Sequence, residues 1–281
     1  MHIREMTAAD LDFAADCTSR EGWSSETRFE FEGFLAHDPH GCFLAVEHGT
    51  RIGICVATPY GAAGFVGLLI VSAPHRNRGV GRGLVEHAIG YLSAQSADSV
   101  FLDGVPQAVP LYERLGFRKV CRSLRLVSTV RGTADSDVTP MVREDLNAVG
   151  LLDREAFGAD RSTFLRRRLE SYPDLCRVLW RGSEMAGFIM GRRVAQIVSV
   201  GPWVMRPGAA RPEALLANVA VPTEDLSVHV GTLETSTAAA ALLHALGFVP
   251  REDPPWRMVR GPWHDLASSP RLFAIGSPAK G

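Results

Sequence analysis

The sequence predicts an α/β protein in which one fold is built twice in tandem. Three matches in the same chain order carry that expectation. MTAADL (Met6 to Leu11) resembles MVREDL (Met141 to Leu146), and FLAVEHGTRIGICVA (Phe43 to Ala57) resembles RVLWRGSEMAGFIMG (Arg177 to Gly191). LYERLGF, ending at Phe117, resembles LLHALGF, ending at Phe248. Each match is short, but the shift between copies is nearly constant, as an internal repeat requires. RGTADSD (Arg131 to Asp137) is polar, lacks periodicity and falls at the join, so domains are expected over 1–130 and 138–281.

The elements of the first copy follow in order. Thr7-Ala-Ala-Asp10 has the form of a capping box and opens a helix with Leu11, Ala14 and Ala15 inward. CFLAVEH and RIGICVAT flank Gly49 as a hairpin. Phe65 to Val71 is a third apolar strand. After Gly83, the residues Leu84, Val85, Ala88, Ile89 and Leu92 share one helical face. SVFLDGV (Ser99 to Val105) is a strand, and Ala108 to Leu115 a short helix stopped by Gly116. Phe117 to Val130 closes the copy as a strand. The second copy repeats the order: helix VREDLNAVGLLDREAF, hairpin LCRVLWRG and MAGFIMGRR, strand IVSVGPWVM, helix PEALLANVA, strand LSVHVGTLE, helix AAAALLHALGF and closing strand WRMVRG.

Composition narrows the function. The 281 residues are 46% hydrophobic and 22% charged, with a formal charge of −1, which suits a soluble protein with a normal core. Nothing global points to nucleic acid or a membrane, and no apolar run is long enough for a bilayer. Cysteines 17, 42, 55, 121 and 176 form no C-x-x-C pair and read as reduced thiols of a cytoplasmic protein. MHIREMTAADLD is charged from the start and lacks the apolar region of a signal peptide.

The chemistry concentrates at one junction. Between Arg76 and Gly83, three arginines and three glycines separate the third strand from its helix. A helix start leaves N–H groups without partners and carries the positive end of the helix dipole. Gly79, Gly81 and Gly83 let an anion reach the backbone, and Arg76, Arg78 and Arg82 add charge. The junction suits a diphosphate. It lacks the G-K-[ST] of a P-loop and the G-x-G-x-x-G of a dinucleotide turn.

Arg76-Asn-Arg-Gly79-Val-Gly81 matches R-x-x-G-x-G instead, and resembles the acetyl-CoA motif of the GCN5-related N-acetyltransferases, the GNAT family. LLIVSAPHRNRGVGRGL resembles the family's pyrophosphate-binding segment, and LYERLGF its later helix–strand junction. LDGVPQAVPLYERLGF is similar to tandem acetyltransferases with a degenerate, YitH-like second domain. The resemblance implies two GNAT-like domains, each a mixed, mostly antiparallel sheet flanked by helices, and acetyl-CoA as cosubstrate. It implies that Leu69, Ile70 and Val71 line the pantetheine arm and acetyl group, on a bulged strand that splays from its neighbour. The N–H of Val71 or an adjacent residue then polarises the thioester carbonyl. The backbone N–H groups of Asn77, Arg78, Gly79, Val80, Gly81, Arg82 and Gly83 then hold the pyrophosphate, with Arg76 among the cofactor-binding residues. Tyr112 occupies the tyrosine place of the family's A-x-x-L-Y, here Ala108-Val-Pro-Leu-Tyr112, and is the candidate acid for the leaving thiolate. One departure stands out. Many members have asparagine three residues before that alanine, where this chain has Val105 and then Pro106.

The base is not legible. Glu21, Glu26, Glu30, Asp103 and His75 are candidates, each with a surface or loop reading beside it, and water is an alternative. His37-Asp-Pro-His40 reads as a loop, and no metal is expected. In the second copy VMRPGAARPE (Val204 to Glu213) replaces the motif and Leu243 stands opposite Tyr112, so that half is expected to be inactive. Its expected role is structural or as a wall of the acceptor pocket, with Trp203, Glu234 and His244 as candidates; Trp23 and Tyr60 are further aromatics for that pocket. Arg166 to Arg168 reads as a solvated helix face. In the tail, RLFAI reads as an added strand before a mobile end. The expected activity is direct acetyl transfer to an amine, a small-molecule primary amine ahead of a protein or peptide amine. Two rivals stay open: a non-catalytic acyl-CoA sensor and an acyltransferase for longer chains. Oligomeric state is not legible.

Overall fold

In a computed structural model the described residues are 1–23, 26–129, 132–133, 135–220, 226–264, 266 and 268–281. They form two compact units. The first comprises Met1–Val120, Arg257–His264 and Lys280; the second comprises Cys121–Trp256, Asp265–Ala279 and Gly281.

The first unit runs β1 (His2–Glu5), α1 (Leu11–Arg20), α2 (Arg28–His37), β2 (Cys42–Glu47), β3 (Thr50–Tyr60), β4 (Ala63–Val71), α3 (Val80–Ala94), β5 (Ser99–Gly104) and α4 (Val109–Arg114). β1 to β4 are antiparallel neighbours in order, and β5 joins β4 in parallel. The Thr7–Asp10 capping box forms as expected, and the buried Asp10 carboxylate holds Arg4 at 2.8 Å and Arg51 at 2.9 Å. The Arg4 guanidinium keeps that carboxyl well below the usual carboxylate range. α3 buries the expected face, Leu84, Val85, Ala88, Ile89 and Leu92. It starts at Val80 rather than after Gly83, so the glycine-rich stretch is its first turn. α2 escapes the sequence reading because Gly33 interrupts its apolar face, which Phe31 and Phe34 nevertheless bury.

The chain continues through β6 (Arg118–Ser128), β7 (Val138–Pro140), α5 (Leu146–Phe157), α6 (Ser162–Ser171), β8 (Cys176–Arg181), β9 (Glu184–Val194), β10 (Ile197–Met205), α7 (Pro212–Ala220), β11 (Ser227–Leu233), α8 (Thr237–Ala245), β12 (Val249–Pro250), β13 (Trp256–Arg260) and β14 (Leu272–Ala274). In the second unit β7, β8, β9 and β10 are antiparallel neighbours, and β11 is parallel to β10. Trp203, Leu215, Val219, Leu243 and Phe273 lie in its core.

The units do not divide at the expected boundary between residues 130 and 138. β6, read as the closing strand of the first copy, belongs from Cys121 onward to the second unit, where Ser123–Ser128 pair antiparallel with Val228–Leu233 of β11. β13, read as the closing strand of the second copy, lies in the first unit from Arg257 onward, beside β5. Side chains hold it there. Arg257 Nε donates to Asp103 Oδ1 at 2.6 Å, Ser99 Oγ donates to the Pro262 carbonyl at 2.6 Å, and Trp263 packs edge-on against Phe101. Periodicity identifies a strand but not its partner, because pairing depends on side chains distant in sequence. Val130, Arg131 and Ala134 of the expected join lie outside the described residues.

Two further expectations are corrected. Arg168 is buried and donates to the Gly201 carbonyl at 3.2 Å, so Arg166 to Arg168 is not a wholly solvated face. RLFAI does supply β14, but the end after it is packed: Ser277 and Ala279 are buried, and Arg161 donates to the Gly281 carbonyl at 3.1 Å.

Candidate active site

β4 and β5 pair only from Ala63↔Ser99 to Val66↔Leu102. Beyond that pair β4 bulges: Leu68 has φ 51° and the register against β3 shifts between Ile54 and Val56. A bulge reverses which residues face which side. Gly64 faces Leu92 of α3 before it, whereas Leu69 and Val71 face the first turn of α3 after it. Past the bulge, Ser72 N–H donates to the Ile52 carbonyl, and the Cα partners are Gly53↔Val71 and Ile54↔Ile70. Antiparallel ladders alternate, so the N–H and C=O of Val71 point away from β3, into the fork between β4 and β5. Arg76 Nε donates to that Val71 carbonyl at 2.8 Å.

The loop and helix start close on this fork. Gly79 caps α3 at φ 83°, a left-handed conformation that suits glycine. A Cβ on Gly81 would lie 3.6 Å from Val71 and 3.8 Å from Leu111, so β4, α3 and α4 meet there. Gly83 N–H donates to the Gly79 carbonyl, which removes it from the expected phosphate donors. The N–H groups of Gly79, Val80, Gly81 and Arg82 precede the helical ladder and are the ones available to an anion. The arginines are held by carboxylates: Arg76 by Glu21, Arg78 by Glu47 at 3.2 Å and Arg82 by Glu86 at 2.8 Å. These pairs are exposed and weak enough to give way to a phosphate.

Tyr112 stands at the same fork. Its ring lies against Gly104, where a Cβ would be 3.0 Å from two ring atoms, and edge-on to Phe117. It is buried, and burial, with a smaller contribution from Cys55, pushes the phenol well above its ordinary value. The phenol therefore stays protonated across the physiological range, as a proton donor must.

The base candidates part ways. Glu21 is taken by Arg76, and His75 lies 3.9 Å from Glu47. Asp103 is buried against Arg257, and Glu30 is buried against Lys280, whose ammonium also lies 4.7 Å from the Phe34 ring centre. Glu26 is buried too. Three of the five are thus interior groups, not the surface residues the sequence suggests. Tyr60 is buried and donates to the Lys280 carbonyl, while Trp23 is half-buried before α2. In the second unit Trp203 is a core residue stacked near Phe273, Glu234 accepts from the Arg122 N–H, and His244 is exposed. All five cysteines are buried free thiols; burial pushes Cys17 up to about 11 and Cys55 and Cys176 up to about 12. Among the described residues, no cluster of three or more His, Cys, Asp or Glu side chains could hold a metal, and no helix is long and apolar enough to cross a membrane.

Comparison with known proteins bears on this geometry. Residues 8–117 match the model of the acetyltransferase (GNAT) family, and residues 149–273 match that of an acetyltransferase (GNAT) domain. The N-alpha-acetyltransferase 30 of Dictyostelium discoideum is 30% identical over 104 residues, 34% of this chain and 56% of that protein. The N-alpha-acetyltransferase MAK3 of Arabidopsis thaliana is 31% identical over 101 residues, 34% of this chain and 53% of that protein. The chain thus spans about half the length of the curated relatives it matches. A Pyrococcus horikoshii protein assigned to the acetyltransferases has the same fold, with TM-score 0.81, 21% identity and coverage of 100% of this chain and 95% of that one. A tandem GNAT protein from the clavulanic acid pathway aligns with TM-score 0.63 and 16% identity over 94% and 99% of the two chains. With GNAT models on both repeats and a shared fold along the whole chain, this protein is a tandem member of the GNAT acetyltransferase family.

Proposed function

We propose that the chain is an acetyl-CoA-dependent N-acetyltransferase whose first unit transfers acetyl directly to an amine, a small-molecule primary amine being the favoured acceptor. The observation that carries this reading is the fork where β4 and β5 part after Val66 and Leu102. A main-chain N–H, that of Val71, turns into it, a helix start lies at one side, and a protonated phenol lies at the other. The N-alpha-acetyltransferase names of the curated relatives agree with an amine acceptor.

In this reading the N–H groups of Gly79 to Arg82, with Arg76 and Arg78, hold the diphosphate of acetyl-CoA. Leu69, Ile70 and Val71 line its pantetheine arm. Val71 N–H donates to the carbonyl oxygen as charge develops there. The neutral amine forms the N–C bond, the C–S bond breaks, and Tyr112 gives its proton to sulfur. The proton lost by the amine passes through water to restore the phenol. Cysteines held as thiols by burial support transfer without an acyl-enzyme. The second unit takes no part in the chemistry.

Calorimetry with CoA, together with thiol release from acetyl-CoA across an amine panel, tests this. Tight CoA binding with amine-dependent release is the expected result. Binding without release on any amine makes the chain a sensor, faster release from longer acyl-CoAs makes it a different acyltransferase, and no CoA binding removes the proposal.

A further inference from the structure

We infer that the acceptor carries a carboxylate beside its amine, and that Arg257 receives it. This rests on the reading above that the amine enters the fork of the first unit.

Arg257 is fully buried. Its Nε is used by Asp103, but Nη1 and Nη2 have no hydrogen-bond partner among the described residues. The guanidinium lies 5.0 Å from the centre of the Phe65 ring. Thr58, whose Cα is paired with that of Phe65, has a buried hydroxyl that also lacks a partner among the described residues. More than about nine in ten buried polar groups in native proteins are satisfied. Two buried guanidinium nitrogens beside the Phe65 ring, with a further hydroxyl on the strand residue paired with Phe65, therefore point to a missing acceptor. The two Nη groups form a planar fork, whose complement is a two-oxygen anion such as a carboxylate.

The location suits an acceptor. Gly64 faces α3, so Phe65 faces the other side of the sheet. Phe101 is paired with Phe65, and Asp103, two residues on, shares its face. Asp103 is also the first residue of β5 beyond the last β4–β5 pair, so the Asp103–Arg257 pair stands where the strands part. Asp103–Arg257 and Glu30–Lys280 are both buried pairs, and the amine beside the carboxylate is the one that the proposed transfer itself requires.

The test gives the full-length protein acetyl-CoA and three matched acceptors: a 2-amino acid, its carboxamide and the corresponding decarboxylated amine. The acid is expected to exceed both others in kcat/KM by at least about tenfold, because a site built for a polar group rejects analogues lacking it. Arg257→Lys keeps a positive charge beside Asp103 but loses the two-pronged donor. It should raise KM for the acid by about tenfold with kcat within about threefold. Calorimetry with the N-acetylated acid, without acetyl-CoA, reads the site independently of turnover and should weaken similarly in the variant. Transfer that treats acid and carboxamide alike overturns the carboxylate site and leaves the acetyltransferase reading intact. Carboxylate-dependent binding without any turnover does the reverse. If Arg257→Lys fails to fold, the native panel and the product titration still decide.

Discussion

In the first unit β4 and β5 part after Val66 and Leu102; in the second, β10 and β11 part after Val200 and Val230. Both forks follow a register shift on the longer strand, between Ile54 and Val56 against β4 and between Val200 and Trp203 in β10. What fills them differs. In the second unit β14 lies in the gap, pairing Trp203 with Ala274 and Val204 with Leu272, while Ile275 N–H donates to the Gly231 carbonyl across it. The chain itself takes the backbone groups that face the fork. Phe273 seals the plug against Trp203 at 5.1 Å. The loops diverge in the same sense. The first offers a left-handed glycine and, among the described residues, N–H groups without a backbone partner at the start of α3. In the second, Pro207 and Pro212 have no N–H to offer, Ala209 and Ala214 donate back to Arg206 and Arg211, and Asp135 and Asp137 hold Arg211. The fork belongs to the fold; whether it can take a ligand depends on what occupies it.

That contrast can be broken at several points. The largest effect is expected from Val71→Pro, which deletes the N–H that faces the fork but no bond to β3. Turnover should fall about 10²–10³-fold, the usual loss for one oxyanion donor, with CoA affinity in calorimetry little changed. Unchanged turnover in a folded variant would remove Val71 from the mechanism.

Tyr112→Phe should lower kcat about 10²-fold at constant CoA affinity. The pH profile sharpens this. Because burial raises the phenol above its ordinary value, its acid form persists on the alkaline side, so activity should rise as the amine loses its proton and show no downturn below about pH 10. A fall near neutral pH that disappears in Tyr112→Phe would contradict the assignment.

If β14 plugs the second fork, titration should give one CoA per chain. Two equivalent sites would erase the difference between the halves. The smallest effect belongs to Arg78→Ala, whose side chain is exposed and already paired with Glu47. A loss in CoA affinity of about threefold or less is expected, and a much larger one would shift the weight of phosphate binding from main chain to side chains.

Much of this site is legible from residues alone. The run from Arg76 to Gly83 is legible as a helix start with exposed N–H groups, since glycines before a helix expose them wherever they occur, and the ring of Tyr112 lies against Gly104 at the end of β5. Asp103 is different. It reads as an ordinary loop-end carboxylate until Arg257, more than half the chain away, is seen beside it. α2 is hidden by Gly33, and the buried Glu30 becomes an interior ion pair only when Lys280 returns to it.

Local pattern determined the repeats, most strands and helices, and the glycine-rich helix start, because period, glycine placement and capping act over a few residues. Tertiary structure alone decided which strands closed which unit, that β14 fills the fork of the second, and which carboxylates are paired. Those outcomes depend on pairing and burial between segments far apart in the chain, whose partners no local window contains.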